Sequence, residues 1–393
     1  MGSIKDKAAI IGMGCTRFAN HHDRDLEDLV VEAVTSALED ARCKKEDIDC
    51  FYWGSAFSGG MSGLNLSTKI KVNKPVTRLE NYCATGQDAI RNACYAVASG
   101  VVDIAMAVGA EKLNDTGYSG LIIPPDQDDQ TALELSAPSV FNWLAVAYSA
   151  KYNIPFEQLR KALVHVAFKN HQNGALNPKA MFRSAVPENV IAKSPIISAP
   201  YLTIMDCSGV SDGAAAAVIT RADMALKYTK NPMYIKAAQL IASTGKEEYT
   251  ADYDFTNIEA AGESARRAYK EAGITDPVKE IDAIAVHDCF TITEIILCEE
   301  LGLSSRGEGW KDVLSGKFDR NGAMPVNIDG GLKAFGHPVG ASGIRMLYEF
   351  WQQFQGLAGE RQLSLPRIAA AQNLGGSPSK CVSSFIIVGK ELG

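Results

Sequence analysis

The sequence lacks several features that would place it in a specialised class of protein. None of its apolar runs approaches the ~20 residues that a membrane-spanning helix needs. No Cys-x-x-Cys pair of the kind that anchors structural zinc occurs. The first residues have neither the layout of a signal peptide nor a myristoylation pattern, because position 6 is Asp6. These absences predict a protein outside the membrane with no metal site.

An excess of positive charge is also missing. The 39 basic and 46 acidic residues leave a net charge of −7, which argues against nucleic acid as a partner. The exception is a basic island, residues 160–193, where Glu188 is the only acidic residue. Such an island suits a ligand that carries phosphate, but a solvated surface helix would give the same charge pattern.

Cysteine pairing has no obvious basis in this chain. Its nine cysteines are scattered and odd in number, which favours free thiols in a reducing, cytoplasmic compartment. A hydrophobic content of 46% and a charged content of 22% are typical of a globular protein, and 393 residues suffice for two cores.

Hydrophobic periodicity predicts an α/β protein built from two similar halves, residues 1–228 and 229–393. Within the first half, a polar stretch at about 112–205 is predicted to be an insertion with helices near 137–151 and 156–172. The predicted strands are 8–13 (ended by Gly14), 48–54, 76–80, 101–109, 214–220, 233–242, 281–286, 368–372 and 382–388, and the remaining predicted helices are 25–41, one after Cys83, 257–272, 291–301 and 344–354.

The first candidate for chemistry is Cys83, in the stretch Asn-Tyr-Cys-Ala-Thr-Gly at 81–86. It lies where a predicted strand gives way to a predicted helix. Unpaired N–H groups and the helix dipole favour an anion there, so a thiol at this position is expected to have a lowered pKa. The sequence therefore suggests a nucleophile, although a small buried core thiol would look the same.

Two further stretches place reactive side chains in loops. His287 and Cys289 lie two residues apart at a strand end, and His337 is flanked by glycine and proline. Either histidine alone is more often structural, but a cysteine nucleophile needs a base, and a second thiol can serve as an acid/base for a carbon acid. Residues 373–376, placed between the last two strands, are candidates to line a hole for an oxyanion.

In order along the chain, residues 81–86, 208–215, 287–290 and 336–343 together resemble the thiolases. The resemblance covers nearly the whole length and is greatest to the sterol-carrier-protein subgroup with its bacterial and archaeal relatives. It implies duplicated βαβαβαββ halves in a layered α-β-α-β-α arrangement, with a loop-domain insertion that covers coenzyme A (CoA).

The resemblance also implies roles for individual residues. Cys83 takes the place of the acylated nucleophile, and His337 that of its base and a donor to one oxyanion hole. His287 replaces the Asn of many thiolases and joins that hole directly or through water. Cys289 takes the place of the acid/base, and the backbone N–H groups of Cys83 and Gly375 are candidates for a second hole.

One departure from the better-known thiolases concerns the acid/base thiol. They take it from a Cys-x-Gly motif near the C terminus, whereas residues 373–375 here are Asn-Leu-Gly and contain no thiol. The subgroup that this chain resembles has the thiol in its His-Asp-Cys-Phe motif instead.

The activity implied is reversible Claisen cleavage or condensation of a 3-oxoacyl-CoA, short, larger or aromatic, with CoA as co-substrate and no permanent cofactor. The alternatives are a 3-oxoacyl synthase-like condensing enzyme and a non-catalytic acyl-CoA-binding subunit. The implied partners are acyl-CoA thioesters, further copies of the chain as a dimer or dimer of dimers, and a small OB-fold protein with a zinc ribbon. The candidates for CoA binding are Arg160, Lys169, Lys179 and Arg183, and those for a substrate pocket are Trp53, Phe57, Phe141, Trp143 and Phe168.

Overall fold

The computed structural model describes residues 2–58, 62–115, 122–123, 135–245 and 253–393. The parts of the predicted insertion at 116–121 and 124–134 lie outside them. The strands are β1 (Ala8–Cys15), β2 (Cys50–Gly54), β3 (Val76–Leu79), β4 (Ile104–Glu111), β5 (Ile122–Ile123), β6 (Leu135–Ser136), β7 (Ile196–Ser198), β8 (Leu202–Thr203), β9 (Gly213–Arg221), β10 (Met233–Ala242), β11 (Ala283–Ala285), β12 (Ile368–Gly376) and β13 (Cys381–Gly389). The helices are α1 (Leu26–Ala41), α2 (Leu64–Ile70), α3 (Thr85–Ala98), α4 (Ala137–Lys151), α5 (Phe156–Ala175), α6 (Glu188–Ala192), α7 (Glu259–Ala272), α8 (Pro277–Glu280), α9 (Thr291–Glu300), α10 (Gly309–Leu314), α11 (Gly331–Phe335) and α12 (Val339–Gln355), with short 3₁₀ turns between some of them.

The main sheet has nine strands in the order β11-β12-β13-β10-β1-β9-β4-β2-β3. Its pairs are mixed, since β2 runs parallel to β3 and β4 while β1 runs antiparallel to β9 and β10. The two halves repeat one strand order and meet at the β1–β10 pair. In the second half the counterpart of β3 is reduced to a single parallel bridge between Ile284 and Val326. The repeated order confirms the predicted duplication.

Helices pack on both faces of the sheet, and two of them lie between the strands of the two halves. α1 packs on β1 and β9 from outside, with its buried stripe in one apolar cluster, and α7 packs on β10 and β13. The central helices α3 and α12 pack against each other and against strands of both halves. This is the layered arrangement that the sequence predicted. Among the helices described, none combines the length and apolar character needed to cross a membrane.

Two local features, a helix cap and a glycine in a strand, show how the sequence forms the first elements. Asp25 caps α1 by accepting a hydrogen bond from the Asp28 N–H at 3.0 Å. The predicted end of the first strand at Gly14 was wrong, because β1 continues to Cys15. A Cβ at Gly14 would lie 2.1 Å from the Ala33 carbonyl oxygen, so this glycine permits close packing of α1 and does not end the strand.

Candidate active site

Cys83 lies in a tight turn between β3 and α3. Tyr82, just before it, has a positive φ of 48°, and the Ala84 N–H donates to the Asn81 carbonyl at 3.0 Å. The Thr85 hydroxyl accepts a hydrogen bond from the Asn81 N–H at 2.8 Å. The turn is therefore held by its own backbone and by the first residue of α3, which places the half-buried Cys83 two residues before that helix.

His337 lies in the corresponding place before α12. It follows Gly336, whose φ is 106°, and precedes Val339, the first residue of the helix, by two positions. A Cβ at Gly336 would lie 2.5 Å from the Ser211 hydroxyl oxygen, so only glycine fits there. The two chemical groups thus reach the site by the same local route in the two halves.

Cys83 and His337 form a hydrogen-bonded pair with a defined tautomer. The His337 Nε2 lies 3.1 Å from the Cys83 Sγ, and its Nδ1 lies 2.7 Å from the Ser342 Oγ. The Ser342 hydroxyl has one proton and donates it to the Pro338 carbonyl at 3.0 Å. It therefore accepts from His337 Nδ1–H, which leaves the Nε2 lone pair facing the thiol, as a general base requires.

His287 completes a cluster with this pair. Its ring centroid lies 5.3 Å from that of His337, and one ligand atom each from Cys83, His287 and His337 lies within 4.8 Å of the others. The His287 Nδ1 lies 2.7 Å from the Asn373 Oδ1, so Nδ1–H donates and the lone pair of the neutral ring is on Nε2. Residues 373–376 were predicted to lie between strands, but they form the end of β12.

Cys289 is buried beside these groups. Its Sγ lies 3.9 Å from the Thr293 hydroxyl. Burial raises the pKa of the Cys289 thiol, and the nearby sulfur of Cys83 raises this pKa further. The structure therefore brings together all four side chains that the sequence singled out, Cys83, His287, Cys289 and His337.

The electrostatics of Cys83 differ from the expectation. Burial raises the pKa of its thiol to about 12, and Glu111 and Glu80 add to the rise. The prediction of a pKa lowered by the helix start was wrong, because desolvation of the thiolate outweighs the helix dipole here. Burial also lowers the pKa of His287 to about 4 and holds that of His337 well below its usual range. The resting site is neutral.

Gly375 brings the end of β12 against the Cys83 turn. A Cβ at this position would lie 2.4 Å from the Asn81 carbonyl oxygen and 3.0 Å from the Cys83 nitrogen. Only glycine allows this approach, so the backbones of Cys83 and Gly375 are neighbours.

Comparisons with known proteins identify the family. The family model "Thiolase, N-terminal domain" matches residues 8–199, and "Thiolase C-terminal domain-like" matches residues 242–388. An acetyl-CoA acetyltransferase of Methanothermobacter thermautotrophicus is 36% identical over 377 residues, which covers 94% of this chain and 96% of that protein. The chain belongs to the thiolase family.

One more relative of this thiolase and one solved structure are informative. Human sterol carrier protein 2 is 29% identical, over 93% of this chain and 69% of that protein. Among solved structures, one called "Ltp2-ChsH2(DUF35) aldolase" has a TM-score of 0.84 at 22% identity and covers 99% of both chains, a likeness that shows the fold.

The stretch at 208–215 supports the loops that carry Cys289 and His337, a role that the sequence did not reveal. The Ser208 N–H donates to the Cys289 carbonyl at 2.8 Å, and the His337 N–H donates to the Gly209 carbonyl at 2.8 Å. Two adjacent residues, Ser208 and Gly209, thus fix the backbones of Cys289 and His337 relative to each other.

Sequence reasoning also missed two buried carboxylates. Glu111, at the end of β4, accepts from Gly340 N–H at 2.9 Å and from the backbone of residues 56–58, so it ties the start of α12 to the loop after β2. Asp288 accepts from Leu332 N–H at 2.6 Å and from the Asn170 amide at 2.7 Å. Burial raises the pKa of Asp288 to about 7, and Glu294 adds to the rise. The position of Asp288, between His287 and Cys289, was the one available signal.

The basic island does not form one cationic face. The Arg160 guanidinium pairs with buried Asp206 at 2.8 Å, and the buried Lys169 ammonium pairs with Glu294 at 3.0 Å. The Lys179 ammonium donates to the Cys15 carbonyl, and Arg183 is exposed. Of the four candidates for CoA binding, the structure leaves Arg183 facing solvent and engages the other three internally.

The predicted pocket aromatics are dispersed. Phe141 stacks on Phe290 with ring centroids 4.8 Å apart, next to Cys289. Trp53 is buried in the apolar cluster under α1, away from that motif. The other three are Phe57 and Trp143, both partly exposed, and Phe168, which packs beside His165. Phe141 alone among these five is placed against the His-Asp-Cys-Phe motif.

Proposed function

We propose that this acyltransferase of the thiolase family cleaves, or in reverse forms, a 3-oxoacyl-CoA through an acyl intermediate on Cys83. The observation that carries the proposal is the His337 Nε2 lone pair 3.1 Å from the Cys83 sulfur, fixed by Ser342 on the other side of the ring. Splitting the transfer through a covalent intermediate replaces one high barrier by two lower ones.

In the first step His337 Nε2 takes the Cys83 proton while the sulfur attacks the keto carbon. The C2–C3 bond then breaks, its electron pair forms the enolate of acetyl-CoA or a larger analogue, and the Cys289 thiol protonates C2. In the second step the Cys289 thiolate takes the proton of incoming CoA, whose sulfur attacks the acyl group. Cys83 leaves as thiolate and recovers its proton from His337.

The neutral resting site fits this scheme. Because burial opposes a standing thiolate, the charge forms only when a substrate carbonyl is present to accept the attack. The oxyanion would be held by the N–H groups of Cys83 and Gly375, and removal of such a donor costs on the order of 3–4 kcal/mol. His287 has its lone pair on Nε2, so we expect it to reach an oxyanion through a water molecule and not directly.

Cys289 separates this proposal from its alternatives. A 3-oxoacyl synthase obtains its carbanion by decarboxylation and needs no thiol acid/base. A non-catalytic acyl-CoA-binding subunit needs neither Cys289 nor the hydrogen-bonded pair of Cys83 and His337. The presence of all three groups around one cluster favours the thiolase.

For substrates and partners we propose the following. Acetoacetyl-CoA is the default substrate, Phe141 marks where a larger or aromatic acyl group would pack, and Arg183 is the cation for the CoA phosphates. The edge strand β3 would pair with that of a second copy. A small OB-fold protein with a zinc ribbon is a further partner, and the name of the DUF35-containing aldolase is in keeping with such an assembly. We further propose the cytoplasm as the compartment and the boundary between halves at residue 228.

The test is CoA-dependent cleavage of a panel of 3-oxoacyl-CoA thioesters, together with trapping of labelled acetyl-CoA on the protein. We expect cleavage and one label on the peptide that contains Cys83, with none in Cys83→Ser and a normal level in the control Cys50→Ser. Malonyl-CoA should not replace acetyl-CoA. Turnover by Cys83→Ser at a normal rate, or condensation that requires malonyl-CoA, would exclude the proposed reaction.

A further inference from the structure

The three groups at the centre of the site are also a set of metal ligands. Cys83, His287 and His337 each offer one donor atom, and these atoms lie within 4.8 Å of one another. In the part of the chain that the structure describes, no other group of three His, Cys, Asp or Glu side chains comes together in this way. A thiolate with two imidazoles is a donor set that suits Zn²⁺.

The partners of both imidazoles resemble those of zinc-bound histidines. Histidines that bind a metal almost always donate their other ring N–H to a nearby oxygen, which fixes the tautomer. His337 donates Nδ1–H to Ser342 at 2.7 Å, and His287 donates Nδ1–H to Asn373 at 2.7 Å. Each ring therefore keeps its lone pair on Nε2, and each is oriented by a side chain before any ligand arrives.

The spacing needs little adjustment. Zn–S bonds of ~2.3 Å and Zn–N bonds of ~2.0–2.1 Å put tetrahedral ligand atoms ~3.3–3.6 Å apart. The Cys83 Sγ and His337 Nε2 are 3.1 Å apart, close to this separation. All three donor atoms lie within 4.8 Å of one another, so a contraction of at most ~1.5 Å brings them to tetrahedral separations, and Cys83 and His337 are only half-buried.

We propose that Cys83, His287 and His337 bind one Zn²⁺ ion, with a water in the fourth position, and that this ion blocks the nucleophile. Binding replaces the Cys83 S–H bond by a Zn–S bond and releases the proton to solvent. The ion then occupies the sulfur and the His337 lone pair, the two groups that acylation requires. The site is inhibitory, and it exists whether or not the acyl-transfer proposal is correct.

The test is titration of the intact protein with Zn²⁺ alone, and separately with Co²⁺, in a phosphine reductant that does not compete for metal. We expect one tight equivalent of Zn²⁺ by calorimetry and by competition with a chromophoric chelator. Co²⁺ should give a thiolate-to-metal charge-transfer band and the strong visible bands of a tetrahedral site. Zn²⁺ should also protect Cys83 from alkylation by iodoacetamide, as read by peptide mass spectrometry.

Matched variants locate the ion. Cys83→Ala and His337→Gln should each weaken Zn²⁺ binding by at least ~100-fold, and Ser342→Ala, which removes an orienting partner, by ~10–100-fold. Cys50→Ser is the control. Cys50 begins β2, whereas Cys83 follows the far end of the parallel neighbour β3, so this variant should bind Zn²⁺ as the parent does.

Equal Zn²⁺ affinity in Cys83→Ala and the parent, or a Co²⁺ spectrum without a thiolate band, would overturn the proposal that Cys83 is a ligand of the ion. Alkylation protection uses the unmodified protein, so it decides the question even if a variant folds poorly. The outcome is independent of the acylation assay. Zinc bound at Cys83 without any acyl-enzyme refutes only the proposed reaction, and an acyl-enzyme without zinc protection refutes only this inference.

Discussion

The starts of α3 and α12 are the two regions of the molecule most usefully compared. Each follows a residue with positive φ, Tyr82 at 48° and Gly336 at 106°, and each places its functional side chain two residues before the helix. One half supplies the thiol of Cys83 and the other the imidazole of His337. Duplication of one local geometry thus produced two complementary groups that face each other.

Glycines let the two starts approach. A Cβ at Gly343 would lie 2.5 Å from the Gln87 nitrogen, and one at Gly86 would lie 2.9 Å from the Gly340 carbonyl oxygen. The backbones of α3 and α12 can therefore touch, which is what the short distance between Cys83 and His337 requires. The two helix starts differ in the interactions that hold them in place. The α3 start is held from within its own turn, by the Ala84 N–H bond to Asn81 and by the Thr85 hydroxyl, whereas the α12 start also depends on the side chains of Ser342 and of Glu111 from β4.

The largest expected effect comes from removing either functional group. Cys83→Ala should abolish acyl-enzyme formation, and His337→Gln should lower kcat by ~10²–10⁴-fold, because the proton on sulfur then has no acceptor. Steady-state cleavage of acetoacetyl-CoA and mass spectrometry of the acylated protein measure both. Near-normal acylation in His337→Gln would mean that the two helix starts are not the functional pair.

The next effect comes from forcing the helices apart. Gly343→Ala inserts a methyl group 2.5 Å from the Gln87 nitrogen, so we expect destabilisation by about 1–3 kcal/mol. A shift of about 1 Å in His337 is expected to lower kcat by ~100-fold. Gly356→Ala, at the other end of α12, is the control. Its φ is 73° and nothing lies within 4 Å of its Cβ, so it should cost stability without changing kcat. Equal loss of kcat in both variants would argue against the helix contact.

A smaller effect concerns the buried cation next to the α12 start. Lys333 in α11 lies 3.1 Å from His171 Nε2, and burial, with Lys333, lowers the pKa of His171 to about 3. A histidine that is neutral when folded contributes its full share of the free energy of unfolding above its unfolded pKa of ~6.5, and this share is lost as pH falls toward 3. At pH 5 the loss of stability is about 2 kcal/mol. His171→Gln should remove this acid sensitivity, as urea unfolding at pH 5 and pH 8 would show.

His165, six residues earlier on α5, provides the control for sign. Asp319 and then Glu188 hold the pKa of His165 above its usual value, so its contribution is present at low pH and is lost as pH rises through the folded pKa. His165→Gln should therefore destabilise the protein more at pH 5 than at pH 8, opposite to His171→Gln. The same sign in both variants would contradict the assignment.

The smallest effect tests the orientation of His337. Ser342→Ala leaves the Nδ1–H without its acceptor, and loss of such a hydrogen bond is expected to lower kcat about tenfold at unchanged KM. Ser342→Thr keeps the hydroxyl and should restore activity. An increase in KM with normal kcat would show that Ser342 supports substrate binding and not the base.

The sequence by itself determined what depends on neighbours along the chain. Hydrophobic periodicity predicted α1 and the order of the main strands and helices, and the residue types of Cys83, His287, Cys289 and His337 pointed to their chemistry before any coordinates. Their mutual approach in the structure follows the prediction, while their individual roles stay predictions.

The tertiary structure decided what depends on burial and on residues far apart in the chain. It raised the pKa of Cys83 where the helix start predicted a lowered one, because desolvation is set by everything packed around a group. It turned Arg160 and Lys169 inward to Asp206 and Glu294, and it made Glu111 the support of a helix that begins more than 200 residues later. Periodicity shows which side of a helix or strand is apolar, but it does not show which residues from distant parts of the chain its charged side chains will contact.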